Sequence, residues 1–403
     1  MERREFFHIS WPFALVPALA GQVPPRPGRV KITDVQVLRL RTIREVGSIE
    51  PAWNPGGEMR VAVGGSSYTE IRTDQGLTGI GPGMAEDLLP AVKAQLVGKD
   101  PFDIEQHVGR LRYYARGLPY RGSACVDVAL WDLIGKACGQ PLYKLLGGAK
   151  ERVMAYASMV KLSTPEERAR LAEQLLGEGW KAIKLRLHHE SMREDIRTVE
   201  AVRQAVEDRM VIMTDANQAQ SSGNWQPGVL WDLRRAVETA RELQRLDCYW
   251  LEEPLPRFAF DQLAELNRLV EIPIAGGENN AGLHEFRQML EQGVYDILQP
   301  ECLVAEGITG LRKIGAMAEL FGRRIVPHNG GRYIGVVAHL HLVASWPHAS
   351  HLELLHDPPV GDYRHAFAIF KNPPLVEKDG AITMPQGPGL GVEIDPGLVE
   401  RSG

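Results

Sequence analysis

Three apolar runs in the second half of the chain end directly in acids. Met210-Val211-Ile212-Met213-Thr214 runs into Asp215, Tyr249-Trp250-Leu251 into Glu252 and Glu253, and Pro273-Ile274-Ala275-Gly276-Gly277 into Glu278. Read as consecutive strands, these runs place three carboxylates at one rim. Anions packed that closely repel one another strongly at low dielectric. A hard divalent cation relieves the repulsion, and all-oxygen ligation suits one Mg²⁺ per site, with water or substrate completing six positions. Any one of these acids alone reads as an ordinary cap or surface residue; three in register do not. Lys184 and Arg186 lie two apart in Ala182-Ile183-Lys184-Leu185-Arg186 and so share one strand face, either pointing into the same site or forming a salt-bridged rim. Ile325-Val326-Pro327 delivers His328, ahead of Asn329-Gly330-Gly331, and His351-Leu352 delivers Glu353. His328 is one of 12 histidines and draws its weight from its place at a strand end.

These side chains need a scaffold that brings strand ends together. From Val153 onward, short apolar runs (Val153–Met159, Ala182–Leu187, Met210–Thr214, Tyr249–Leu251, Ile274–Ala275, Ile297–Leu298, Ile325–Val326) recur, each followed by a helical stretch such as Pro165–Leu176, Met192–Val206 or Gly228–Leu246. That alternation predicts parallel strands wrapped by helices and closed into a barrel, whose chemistry sits at the C-terminal strand ends. Before it, Val30 to Arg41 and two runs between 60 and 80 alternate like strands. Thr42 to Met59, rich in Gly, Pro and polar residues, reads as a mobile loop. Helical periodicity follows over Ala85–Leu96, Pro101–Ala115 and Arg121–Leu146, the last closed by Gly147-Gly148. The expected organisation is an N-terminal linker over 1–30, an α+β capping domain over 31–150, a (β/α)7β TIM-like barrel over 151–357, and a Pro- and Gly-rich segment over 358–403 that returns to the cap.

The chain has 403 residues, 44% hydrophobic and 24% charged, long enough for a barrel with a smaller domain. Lys+Arg 46 against Asp+Glu 51 leave a net charge of −5 and no basic field for nucleic acid. Cys125, Cys138, Cys248 and Cys302 are scattered without a C-x-x-C pair and read as buried small apolar residues rather than as a zinc site or a disulfide framework. Arg3-Arg4, the apolar stretch Ile9 to Ala20 and the small-residue end Ala18-Leu19-Ala20 agree with a twin-arginine export signal and a periplasmic location. The alternative is an unexported N-terminal extension on a cytoplasmic protein. The stretch is too short to span a bilayer as a helix, so no membrane anchor is expected.

The phrase Ala124-Cys125-Val126-Asp127-Val128-Ala129-Leu130-Trp131-Asp132, with Lys136 and Leu145-Leu146-Gly147-Gly148, resembles the entry into the barrel of the enolase superfamily's mandelate racemase and muconate lactonizing branch. Thr214-Asp215-Ala216-Asn217, Trp250-Leu251-Glu252-Glu253-Pro254 and Gly277-Glu278-Asn279 resemble its metal-bearing strand ends, in order, and the likeness covers about 31–395. The longer interval between Asp215 and Glu252 leaves room for a loop around Ser221 to Pro227. The resemblance implies Asp215, Glu252 and Glu278 as metal ligands, Lys184 and Arg186 at the family's Lys-x-Lys positions, and His328 as the histidine base. Two positions depart from the pattern. Arg186 stands where a lysine often acts as base, and arginine stays protonated at ordinary pH. Gln299-Pro300-Glu301 offers a glutamate where the family pairs an aspartate with the histidine.

The implied chemistry is abstraction of the proton beside a substrate carboxylate, with the metal stabilising the enediolate and His328, oriented by Glu301, as acid and base. A Lys or His base paired with Mg²⁺ is that superfamily's established arrangement. Lys184 is expected to neutralise the carboxylate, Arg186 and Asn217 to bind substrate oxygens, and Glu353 to hydrogen-bond the carboxylate or enediolate. Trp53 and Asn54, in the polar loop Glu50 to Met59, are expected to close over a polyhydroxylated substrate. With a single good base, dehydration of a sugar acid to a 2-keto-3-deoxy acid is favoured. A racemase or epimerase using Lys184 as second base, or a non-catalytic sugar-acid or metal-binding protein, are the alternatives. The expected partners are a small carboxylate and further copies of the chain, as family barrels commonly assemble.

Overall fold

The computed structural model describes residues 30–114, 121–220, 225–328 and 333–400. The N-terminal arginine pair and apolar stretch lie outside the described residues, as do residues 221–224 and 329–332. Five strands open the chain: β1 (Ile32–Arg39), β2 (Thr42–Ile49), β3 (Met59–Gly64), β4 (Ser67–Thr73) and β5 (Thr78–Pro82). β1, β4 and β5 form an antiparallel sheet, and β2 pairs with β3 as a separate hairpin. Thr42–Ile49 is therefore strand, where the sequence reads as loop. Nearly all of β2 is solvent-exposed, so no apolar alternation marks it and its partner strand defines it instead.

Four helices follow: α1 (Leu89–Leu96), α2 (Ile104–Tyr114), α3 (Arg121–Ala137) and α4 (Leu142–Leu145). The continuous helix expected to Leu146 stops at Ala137, because Gly139 takes a left-handed φ of 64° that ends the helix, and Pro141 precedes the short α4. From Ala124 to Leu133, α3 is buried on every side, and β5 runs directly against it. A Cβ at Gly79 would lie 2.2 Å from the Ala129 carbonyl oxygen, and one at Gly81 2.3 Å from that of Cys125. Glycine is what lets strand and helix touch.

The barrel strands are β6 (Arg152–Ser158), β7 (Ala182–Arg186), β8 (Val211–Asp215), β9 (Leu251–Glu252), β10 (Ile274–Gly276), β11 (Ile297–Leu298), β12 (Arg324–Ile325) and β13 (His351–Leu355). Between them run α5 (Pro165–Glu178), α6 (Met192–Val206), α7 (Leu233–Arg245), α8 (Phe260–Leu269), α9 (Gly282–Gln292), α10 (Gly307–Leu320) and α11 (Ile334–Ser345). All neighbours pair in parallel, β13 returns beside β6, and a parallel bridge from Ile325 to Ala349 joins the two ends. This is the expected (β/α)7β barrel with an α+β cap. Local signals set the outer helices: Thr164 with Glu167 and Ser191 with Glu194 form capping boxes that start α5 and α6. α11 is buried along its whole length, so it carries no amphipathic stripe. No helix among the described residues is long and apolar enough to cross a membrane.

The last residues add α12 (Tyr363–Phe367) and β14 (Ala381–Thr383), which pairs antiparallel with β6 at the foot of the barrel. Beyond it the chain reaches the cap, where Leu40 bridges Val399 and the Arg41 N–H donates to the Leu398 carbonyl at 2.8 Å. Asp132 of α3 ties three segments together, accepting from Ile80 N at 2.8 Å, Leu390 N at 2.7 Å and Lys136 Nζ at 2.7 Å.

Above β13, Asp357 and Arg168 form a buried pair (Oδ1 to Nη1 3.1 Å), and Asp357 Oδ2 also accepts from the N–H groups of Val160 and Lys161. Burial opposes its ionisation, but Arg168 and the two N–H groups hold the carboxyl below the usual range. A lowered carboxyl contributes stability that is full above its unfolded pKa and lost as pH falls through the folded one. Asp357→Ala should therefore cost about 3–5 kcal/mol at neutral pH by leaving Arg168 buried and unpaired. Urea melts from pH 7 down to pH 3 check this, since the difference from the unmodified protein should shrink towards the acid end.

Candidate active site

Tyr156, Ala182, Met213, Trp250, Ala275, Ile297 and Val326 fill the barrel interior as one apolar layer. Strand side chains alternate with period two, so the next inward residue on each strand stands one layer higher. Those residues are Ser158, Lys184, Asp215, Glu252, Gln299 and His328, with Arg186, Asn217 and Glu301 one step further. The apolar floor thus carries a polar storey at the C-terminal strand ends. Registry places Arg186 opposite Asp215, and Asp215 opposite Glu252.

One oxygen from each of Asp215, Glu252 and Glu278 lies within 4.8 Å of the others, and all three residues are buried. Oxygens sharing one octahedral Mg²⁺ at about 2.1 Å stand roughly 3–4 Å apart, so a small contraction would let this trio hold a cation. Lys184 Nζ reaches Glu252 at 2.7 Å, Glu353 at 2.8 Å and Asp215 at 3.3 Å. His328 Nε2 lies 3.1 Å from Glu278 Oε2 and 4.0 Å from Glu353, and its Nδ1 lies 3.4 Å from Glu301 Oε2.

The charges do not balance. Asp215, Glu252, Glu278, Glu301 and Glu353 face Lys184, Arg186 and a protonated His328, leaving the cluster short of two positive charges. Burial and the neighbouring Asp215, Glu353 and Glu278 accordingly push the Glu252 carboxyl up to about 8 against the pull of Lys184. Burial raises Glu278 as well, with His328 opposing. Asp215 is held low despite its burial, because Lys184 and Arg186 flank it. Burial disfavours the His328 imidazolium, yet Glu278, Glu353 and Glu301 outweigh it and push its pKa up to about 10. Glu301 is drawn down to about 2, burial opposing and the two nearby imidazoles prevailing. A divalent cation would supply the missing charge, and the all-oxygen donor set fits Mg²⁺.

Arg186 is almost wholly taken up by the protein. Nε donates to the Met159 carbonyl at 2.6 Å, Nη2 to Ser158 Oγ at 3.0 Å, and Nη1 to Asn217 Oδ1 at 3.2 Å and to Asp215. Above it lies the Trp53 ring, 4.7 Å from the guanidinium carbon. Trp53 belongs to the link between β2 and β3, so the cap reaches onto the barrel mouth and encloses a cavity of about 640 Å³ that Arg186, Asn217, Glu278, Glu301 and His328 also line. Asn54 is not brought there. It sits exposed in a turn, donating from its N–H to the Pro51 carbonyl. Glu353 is buried below the cavity against Lys184.

Several residues escaped the sequence reading. Gln299 Nε2 and Trp250 Nε1 donate to Glu252 Oε2 at 2.8 and 3.1 Å, fixing the oxygen that Lys184 does not hold. Asn279 Nδ2 donates to Glu278 at 3.0 Å. Glu253, turned by a φ of 44°, is buried behind the trio with its carboxyl raised well above the ordinary range by burial and the adjacent acids. The period-two step from the apolar floor was the signal that could have found Ser158 and Gln299; Glu253 is visible as the second acid ending its run, but its place behind the trio follows from its positive φ.

The family described as "Enolase C-terminal domain-like" matches residues 167–398, and "Mandelate racemase / muconate lactonizing enzyme, N-terminal domain" matches residues 45–147. An arabinonate dehydratase of Saccharolobus solfataricus is 31% identical over 83% of this chain and 89% of its own. A D-galactarolactone cycloisomerase of Agrobacterium fabrum is 30% identical over 81% and 88%. Among solved structures, a D-glucarate dehydratase from Agrobacterium tumefaciens complexed with magnesium superposes with a TM-score of 0.78 at 30% identity, covering 92% of this chain and 99% of that one.

Proposed function

We propose a function from one premise: the chain belongs to the mandelate racemase and muconate lactonizing enzyme family of the enolase superfamily, and is an enzyme of that superfamily. The reaction is dehydration of a sugar acid to a 2-keto-3-deoxy acid, with Mg²⁺ held by Asp215, Glu252 and Glu278. The dehydratases named among its relatives support this, although a cycloisomerase stands beside them. When bound, the cation stabilises the negative charge that a carboxylate gains as the neighbouring carbon loses its proton.

The carrying observation is that, among the described residues, the cavity is lined by one imidazole, His328, a group whose ordinary pKa lies near neutrality. Arg186 is a permanent cation whose donors are spent on Ser158, Met159, Asp215 and Asn217. The Lys184 ammonium is wholly buried against Glu252, Glu353 and Asp215 and does not line the cavity, whereas His328 does. His328 remains. Were Glu278 to hold a cation, its charge would no longer favour the proton on His328, and the imidazole would be better able to act as base. His328 removes the α-proton, and the C–H electron pair enters the enediolate. The same imidazolium then protonates the departing β-hydroxyl, which leaves as water, and the resulting enol tautomerises to the ketone. Lys184 neutralises the substrate carboxylate, while Arg186 holds Asp215 and Asn217 in place and seats Trp53. Incubating mono- and di-acid sugars with Mg²⁺ and assaying for 2-keto-3-deoxy acids tests the reading. Solvent deuterium entering the α-carbon without loss of water would replace it with a racemase or epimerase.

Trp53→Ala removes the stacking on Arg186 that seats the cap, an interaction worth about 0.5–2 kcal/mol. KM should rise roughly 3- to 30-fold with kcat changed far less, since what is lost is binding rather than chemistry. Steady-state kinetics decides this, and an unchanged KM would remove Trp53 from substrate enclosure.

A further inference from the structure

Glutamate at 301 poses a mechanical problem: its additional methylene brings another rotatable bond, so its carboxylate needs fixing at both oxygens to serve one imidazole. Oε2 faces His328. At the other end, Oε1 accepts from Leu303 N at 3.2 Å and lies 3.5 Å from His339 Nε2. That same Nε2 accepts a hydrogen bond from Cys302 N at 3.0 Å, so His339 grips the backbone of the 301–303 turn itself. His339 lies in the middle of α11, wholly buried. With Nε2 accepting, its proton sits on Nδ1, which has no hydrogen-bond partner among the described residues. An apolar side chain would remove the unpartnered Nδ1 but would leave the Cys302 N–H without its acceptor. The imidazole instead lies against the turn that carries the partner of the proposed base.

We propose that His339 is a positioning residue, whose Nε2 holds the Cys302 N–H and thereby keeps the Glu301 carboxylate aimed at His328. This rests on the reading of His328 as acid and base. It also accounts for how a glutamate stands in where the family resemblance leads one to expect an aspartate: the backbone turn that carries the longer side chain is pinned by a second imidazole.

The decisive pair is His339→Gln and His339→Asn. A glutamine amide superposes on Nε2 and keeps an acceptor for Cys302 N–H, whereas an asparagine amide superposes on Nδ1 and leaves that N–H empty. His339→Asn and His339→Leu should lower kcat about 10- to 100-fold, the usual effect of losing an outer orienting partner, with KM and the Mg²⁺ dissociation constant within about twofold of the unmodified enzyme. His339→Gln should recover most of kcat. In a Glu301→Gln background, His339→Asn should add little, because the group it positions is already lost. Equal kcat for the Gln and Asn variants would overturn the proposal, as would full additivity with Glu301→Gln. If His339→Leu fails to fold, the Gln–Asn comparison still decides. His328→Asn assayed alongside separates the two ideas: normal turnover there removes the underlying reading, whereas inactive His328→Asn with fully active His339→Asn removes this proposal alone.

Discussion

Turnover by a His328→Asn variant should fall by roughly 10²- to 10⁴-fold, the range that general acid–base groups contribute. Asparagine fills much the same space and can still accept from a neighbour, but it cannot carry a proton. Its replacement leaves Asp215, Glu252 and Glu278 in place, and removes a cation from beside Glu278 Oε2, 3.1 Å away. Mg²⁺ affinity measured by calorimetry should therefore hold or tighten slightly while product formation collapses. The combination is the informative part, because a general loss of structure would take both together. A variant that turns over at near-normal rate would leave the site without its base.

Glu252→Gln should fail in the opposite order, losing the cation first and activity as a consequence. Its carboxylate accepts from Lys184, Trp250 and Gln299, so the side chain is held in place and the amide replaces it with little change of shape. A neutral amide offers one oxygen of weak donor strength and presents two N–H groups to a site already lined with donors. A cation at 100 times its dissociation constant stabilises the native state by about 2.7 kcal/mol. In the unmodified protein, thermal melts with and without Mg²⁺ should show a stabilisation of that order, and in the variant it should vanish. That readout needs no substrate, so it tests the metal site even if the true sugar acid is missed. A Glu252→Gln protein that Mg²⁺ stabilises as well as the unmodified one would place the cation elsewhere.

Much of this site was legible because the barrel turns sequence position into height. Asp215, Glu252, Glu278 and His328 each close an apolar run, and parallel registry lifts them to one level without further information. The hairpin strand Thr42–Ile49 was not legible, since its side chains face water and only pairing with Met59–Gly64 defines it. Arg186 could be recognised as a poor base from its chemistry alone. That its donors are consumed by Ser158 Oγ and the Met159 carbonyl depends on the end of a neighbouring strand, which no local pattern reports. His339 was hidden for a third reason: α11 is apolar all round, and a histidine inside such a helix gives no sign of what it touches. Asn54 shows the converse, a polar residue in the right loop whose backbone is spent on closing a turn.

The closing segment has a consequence for how the molecule comes into being on the ribosome. β1 is among the first described elements to be made, yet the strand end at Leu40 finds its bridge at Val399, and Asp132 waits for Leu390. At roughly 5–20 residues per second, β1 emerges about 20–70 s before its last neighbour. During that interval the cap's edge and the foot of β6 stand open, exposed strand edges of the kind that recruit other chains. Trimming the final two dozen residues should therefore harm yield in the cell far more than the stability of the finished fold would suggest, through nascent chains that associate before they can close.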